Sequence, residues 1–126
     1  MTIAFKKLAG PTWTAEVGGV TIFIDDQNGQ PDPAQHAIAL RIAANFPGTC
    51  AKATSYLDLF VDRSKACGSD NEEWELIEIE LRGMQNHRPR CSFCFALNGD
   101  TDGYWTVDLT AWPDEFNPVR FERNQG

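Results

Sequence analysis

Between Thr12 and Asp25 two short β-rich runs, TWTAEV and VTIFID, are separated by Gly18-Gly19. β-Branched and aromatic residues favour extended backbone, and a Gly-Gly pair supplies the positive φ values that a two-residue hairpin turn demands. The pattern predicts a β-hairpin. Asp32 is then placed to cap a helix, with Pro33 at its first position, where the missing N–H is harmless. Behind them Ala34, Ile38, Ile42 and Phe46 recur at helical spacing beside Ala37, while Gln35, Arg41 and Asn45 lie elsewhere on the surface. This predicts an amphipathic helix closed by Pro47-Gly48. Cys50, Ala53, Leu57, Phe60 and Val61 form a second stripe, with Lys52, Ser55, Asp58 and Asp62 away from it, and predict a second helix to about Arg63. Two helices joined so tightly make a helical hairpin.

From Trp74 onward the period is two. Ile77, Ile79 and Leu81 alternate with Glu78 and Glu80, which predicts a strand with one apolar and one acidic face. If the isoleucines face the helices, strict alternation puts Trp74 and Leu76 on the opposite face with Glu78 and Glu80. Residues 91–97 place Cys91, Phe93, Phe95 and Leu97 together, residues 104–109 do the same for Trp105, Val107 and Leu109, and Val119 with Phe121 close the series. The order ββααββββ predicts an α+β fold, a mostly antiparallel sheet with a helical hairpin packed on one face. At 126 residues the chain reads as a single domain, 1–126, with no repeat or linker.

The formal charge of -7 is uneven: residues 1–63 carry five Lys/Arg against six Asp/Glu, and residues 64–126 carry six against twelve. A field of that sign repels phosphate backbones, which argues against nucleic acid; it serves either solubility or a basic protein partner. MTIAFKKLAG has too short an apolar stretch for a signal peptide, and no run is long enough to span a membrane. A cytoplasmic location is expected, with the four cysteines as buried thiols.

The segment RCSFCFALNGD places Cys91 and Cys94 at C-x-x-C spacing. In an extended strand residues three apart point to opposite faces, so the pair does not form a zinc knuckle, which turns both thiolates toward one ion. The alternative is a zinc or small-molecule site using Cys91, Cys94, His87 and one of Cys50 and Cys67. NGDTDG resembles half of a calcium loop, with Asn98, Asp100, Asp102 and Gly103, but the position that requires a bidentate Glu is Leu109. The same residues are ordinary hairpin-turn chemistry. His36 and His87 lack a nucleophile signature, and no phosphate-binding glycine loop or H-E-x-x-H is present. We expect no catalysis and no cofactor.

The carboxylates Asp70, Glu72, Glu73, Glu75, Glu78 and Glu80 read first as a solvated face. The candidate partner-binding residues are Trp74, Glu78 and Glu80 on the acidic strand and Trp112, Asp114, Glu115 and Phe116 in TAWPDEFN. In that loop Pro113 and Pro118 limit the entropy lost on ordering. Trp112 and Phe116 either present apolar area or tuck over the core edge. The ββαα order with its C-terminal meander, DGYWTVDL leading to PVRFERNQ, resembles small bacterial domains of unknown function found among the immunity proteins of toxin systems. The resemblance implies a cytoplasmic acidic protein that blocks a toxin and has no catalytic residues.

Overall fold

The computed structural model describes residues 3–8, 10–61, 73–85, 88–89, 91–97, 103–110 and 116–125. Lys6–Lys7 (β1) lies antiparallel on Thr12–Val17 (β2), which forms a hairpin with Val20–Gln27 (β3). The turn pairs Val17 with Val20 and holds Gly18 at φ 58° and Gly19 at φ 79°, the two left-handed positions of a primed hairpin. Gly18 also abuts the Phe46 ring, where a Cβ would lie 2.4 Å from the nearest ring carbon. Asp26 accepts from Lys7 Nζ at 2.8 Å and from Trp13 Nε1 at 2.8 Å, tying β1 and β2 to the end of β3. These two bonds are the main reason its carboxyl is held down at about 2.

Gln30–Pro31 (β4) pairs with β3, and the chain then enters Pro33–Ala44 (α1). The Asp32 carboxylate accepts the Gln35 N–H at 3.0 Å, so the cap forms as the sequence predicts. The buried stripe differs by one position. Gln35, Ile38, Ala39 and Ile42 face the sheet, whereas Ala34 and Ala37 are exposed. Gln35 enters the core because both ends of its amide are satisfied there: Oε1 accepts the Asp25 N–H at 2.6 Å and Nε2 donates to Asp25 Oδ2 at 2.9 Å. Phe46–Asp58 (α2) follows after the single residue Asn45. Pro47 therefore opens the second helix, where its absent N–H would have no partner anyway, and does not close the first. The second helix stops at Asp58, short of Arg63, leaving Phe60 exposed beyond it.

Trp74–Glu80 (β5) runs parallel to β3, with Ile22 beside Ile79, and the two helices supply the crossover that a parallel pair requires. Met84–Gln85 (β6) and Arg88–Pro89 (β7) make a small separate ribbon. Ser92–Leu97 (β8), Gly103–Thr110 (β9) and Asn117–Gln125 (β10) complete an antiparallel meander after β5. The sheet order is β1-β2-β3-β5-β8-β9-β10, with β4 attached to β3. Apart from the two-residue strands this is the ββααββββ order in an α+β fold, mostly antiparallel. Both helices bury their apolar stripes on one face of the sheet, in a core that contains Ile22, Ile24, Ile79, Phe93, Phe95 and Val107.

One feature of β5 departs from simple alternation. The β5–β8 register slips between Leu76 and Glu78, so Ile77 is an inserted residue. Such a bulge reverses the parity of everything before it. Trp74 and Leu76 pair with Leu97 and Phe95 and pack against the core, while Ile77 leaves it and is 47% exposed. The expectation that Trp74 and Leu76 share a face with Glu78 and Glu80, and that Ile77 faces the helices, is corrected by this single residue.

Candidate protein-binding face

The side of the sheet away from the helices is organised by the registers. Glu16 pairs with Thr21, Thr21 with Glu78, Glu78 with Cys94, Cys94 with Thr106, and Thr106 with Glu122. These six residues form one row across β2, β3, β5, β8, β9 and β10. The adjacent row runs Thr14, Phe23, Glu80, Ser92, Asp108 and Arg120. Because paired residues in a sheet point to the same side, both rows belong to the helix-free face.

The second row is internally compensated. Ser92 Oγ donates to Asp108 Oδ1 at 2.5 Å, and Arg120 Nε lies 3.1 Å from Asp108 Oδ2. Arg82 bridges Glu80, packs over the Phe23 ring at 5.5 Å, and donates to Thr12 Oγ1 at 3.4 Å. The first row is different. Glu78, half-buried in mid-sheet, and exposed Glu75 on the same side of β5 have no salt-bridge partner among the described residues. Glu16 accepts the Thr21 hydroxyl at 2.7 Å and has no salt-bridge partner among the described residues. Glu122, at the β10 end of the row, is paired with Arg120 at 3.1 Å, so on β5 the negative charge left for an external cation is that of Glu75 and Glu78, with Phe23 and the bulged Ile77 providing apolar area nearby.

Cys94 sits between these carboxylates. Burial first, then the charges of Glu78 and Glu80, push its thiol up to about 11. Cys91 lies on the core face beside Phe93, fully buried, and burial raises its thiol further. The C-x-x-C pair thus straddles the sheet, as its strand spacing requires, and the two sulfurs cannot converge on one ion. Cys50 is also raised by burial, to about 11. Among the described residues no group of three or more His, Cys, Asp and Glu is arranged to hold a metal. At pH 8 Cys94 in the folded protein is expected to react with a thiol reagent about 100-fold more slowly than in the unfolded chain, in line with its smaller thiolate fraction. Equal rates in the two states, followed by mass spectrometry, would contradict this placement.

Trp74 is turned inward. Its ring stands edge-on to Trp105 at 5.2 Å and its Nε1 donates to Asp58 Oδ1 at 2.9 Å, linking β5 to the end of α2. Phe116 is a core residue with the Arg41 guanidinium 4.8 Å from its ring centre. Trp112, Asp114 and Glu115 lie outside the described residues, as do His87, Cys67, Asp70, Glu72 and the Asn98, Asp100 and Asp102 turn. The described histidine, His36, packs edge-on against Phe5 at 4.8 Å. Of the sequence candidates, Glu78 and Glu80 stand together on the helix-free face. The contributions of Glu16, Phe23 and Glu122 follow from the registers, which alternation within one strand does not reveal. No helix among the described residues is long and apolar enough to cross a membrane. Comparison of the chain with protein-family models, curated proteins and solved structures gave no match.

Proposed function

We propose that this protein is a non-catalytic binding module that holds a basic protein on the helix-free face of its sheet, acting as an inhibitor in the manner of an immunity protein. One observation carries the reading: Glu75 and Glu78 stand on the helix-free face with no salt-bridge partner among the described residues, while the neighbouring Glu80 and Asp108 are already paired. Uncompensated charge of one sign on a rigid surface steers a partner of the other sign and fixes its register. Phe23 and Ile77 add apolar contact, so the fitting partner presents Lys or Arg around a small hydrophobic area. Trp74 and Phe116 support the scaffold behind this face.

The test is a titration of a labelled lysine-rich peptide followed by fluorescence anisotropy. At about 0.15 M salt, charges farther apart than about 8 Å are largely screened, so only local changes register. The double variant Glu75→Gln/Glu78→Gln, which changes the net charge by the same +2 as the control below, is expected to weaken binding about fivefold through the loss of two surface pairs. Gln27→Lys/Gln30→Lys, at the exposed turn at the far end of β3, is expected to leave it within about twofold. Equal losses in the two variants would leave only a general charge effect and overturn the proposal.

A further inference from the structure

We infer that a second copy of this chain pairs antiparallel with β10 about a two-fold axis at Phe121, extending the sheet across two protomers. The two edges of the sheet are unlike. At one, β1 is two lysines long, short and charged as a protected edge should be. At the other, β10 runs for nine residues, Asn117–Gln125, with a bulge at Val119 and a regular stretch from Arg120 onward, and among the described residues it pairs with β9 alone. Phe121 is its midpoint.

The sequence around that midpoint, Arg120-Phe121-Glu122, is self-complementary. A two-fold axis normal to the sheet keeps each residue on its own face in both copies, which permits only registers centred on a residue. Centring on Phe121 sets Arg120 opposite the second copy's Glu122 and Glu122 opposite its Arg120. Centring on Arg120 or on Glu122 sets like charges directly opposite each other, which is unfavourable. Among the registers centred within Arg120–Glu122, the ion pairs therefore select the one at Phe121. Arg120 is already held at this edge by Asp108 and Glu122 of its own chain, each at 3.1 Å, so its guanidinium is positioned before association.

The helix side of the same edge carries exposed apolar side chains. Phe60 stacks on Phe121 at 5.2 Å, Tyr56 stands edge-on to both, and Leu59 and Phe60 are 75% and 59% exposed. An open groove of about 510 Å³ between α2 and the start of β10, lined in part by Ala51, Tyr56, Leu59 and Pro118, continues this patch. Contiguous exposed aromatic and aliphatic side chains mark association surfaces. In the paired arrangement the two Phe121 rings are neighbours, and the patches of both copies close over the junction. The helix-free faces then lie on one side of a continuous sheet, so the assembly offers two acidic faces in the same direction.

Sedimentation velocity of the full chain from about 1 to 200 µM, a range suited to a modest interface, tests this. A reversible monomer–dimer equilibrium is expected. Leu59→Lys and Glu122→Lys, both at exposed positions, are expected to weaken it at least about tenfold each. Gln30→Lys, far from β10, should leave it unchanged. A protein monomeric throughout this range overturns the inference, as does a dimer unaffected by either β10-side variant. Both failures leave the peptide-binding test on β5 standing, because that test uses different residues.

Discussion

Ile79→Ala is expected to lower the denaturation midpoint by the equivalent of about 2–5 kcal/mol, while Ile77→Ala, two residues away on the same strand, costs about 0.5 kcal/mol or less. Ile79 has no exposed surface and sits where β3, β5 and β8 meet, between Ile22 on one side and Phe93 on the other. Truncating it removes buried apolar area and leaves a cavity that a rigid sheet cannot collapse to fill. Ile77 is the inserted residue of the bulge and is half-exposed, so truncation leaves no hole. Strict alternation assigns the two isoleucines the same environment and therefore similar costs. Comparable midpoints for the two variants in urea would mean that the bulge is absent and that Glu78 and Glu80 have other neighbours.

Gln35→Glu has the second large effect, about 3–5 kcal/mol at neutral pH. The wild-type amide both donates to the Asp25 carboxylate and accepts from the Asp25 backbone N–H, inside a site where Gln35 is 1% exposed. A carboxylate keeps the acceptor and loses the donor, placing a buried negative charge against the half-buried Asp25 carboxylate. The sign of its pH dependence follows. The new carboxyl has a raised folded-state pKa, because burial and Asp25 both disfavour its charged form. The deficit is smallest in acid, below the unfolded value of about 4.3, where the group is protonated in both states, and grows as pH rises toward the folded value. Midpoints measured at about pH 4 and 7 should show the variant closer to wild type at the lower pH. A variant equally impaired at both would assign the cost to shape alone.

These two residues also mark where the sequence was legible. The β2–β3 hairpin and the start of α1 are written in local chemistry: Gly18-Gly19 supply the φ values, and Asp32 caps the helix that Pro33 opens. The opposed placement of Cys91 and Cys94 followed from strand geometry alone. Polarity misled at Gln35, because its partner, the Asp25 backbone, is ten residues away and becomes available only when β3 has formed. Ile77 carries no mark of a bulge, since an isoleucine in a run of alternating Ile and Glu fits a regular strand equally well. The acidic character of β5 was evident in Glu78 and Glu80, but the identity of their neighbours depended on sheet order. Thr21 and Cys94 flank Glu78 only because β5 lies between β3 and β8. Trp74 and Phe116 looked like contact residues because large aromatics suit interfaces, and they suit a core edge equally well.

An amide chemical-shift map of the protein titrated with a lysine-rich peptide locates the binding face directly. Perturbations are expected to concentrate on Thr21, Glu78, Cys94 and Thr106, the middle of one transverse row over four adjacent strands. Shifts confined to α1 and α2, spread evenly over the chain, or absent altogether would contradict this location of the face.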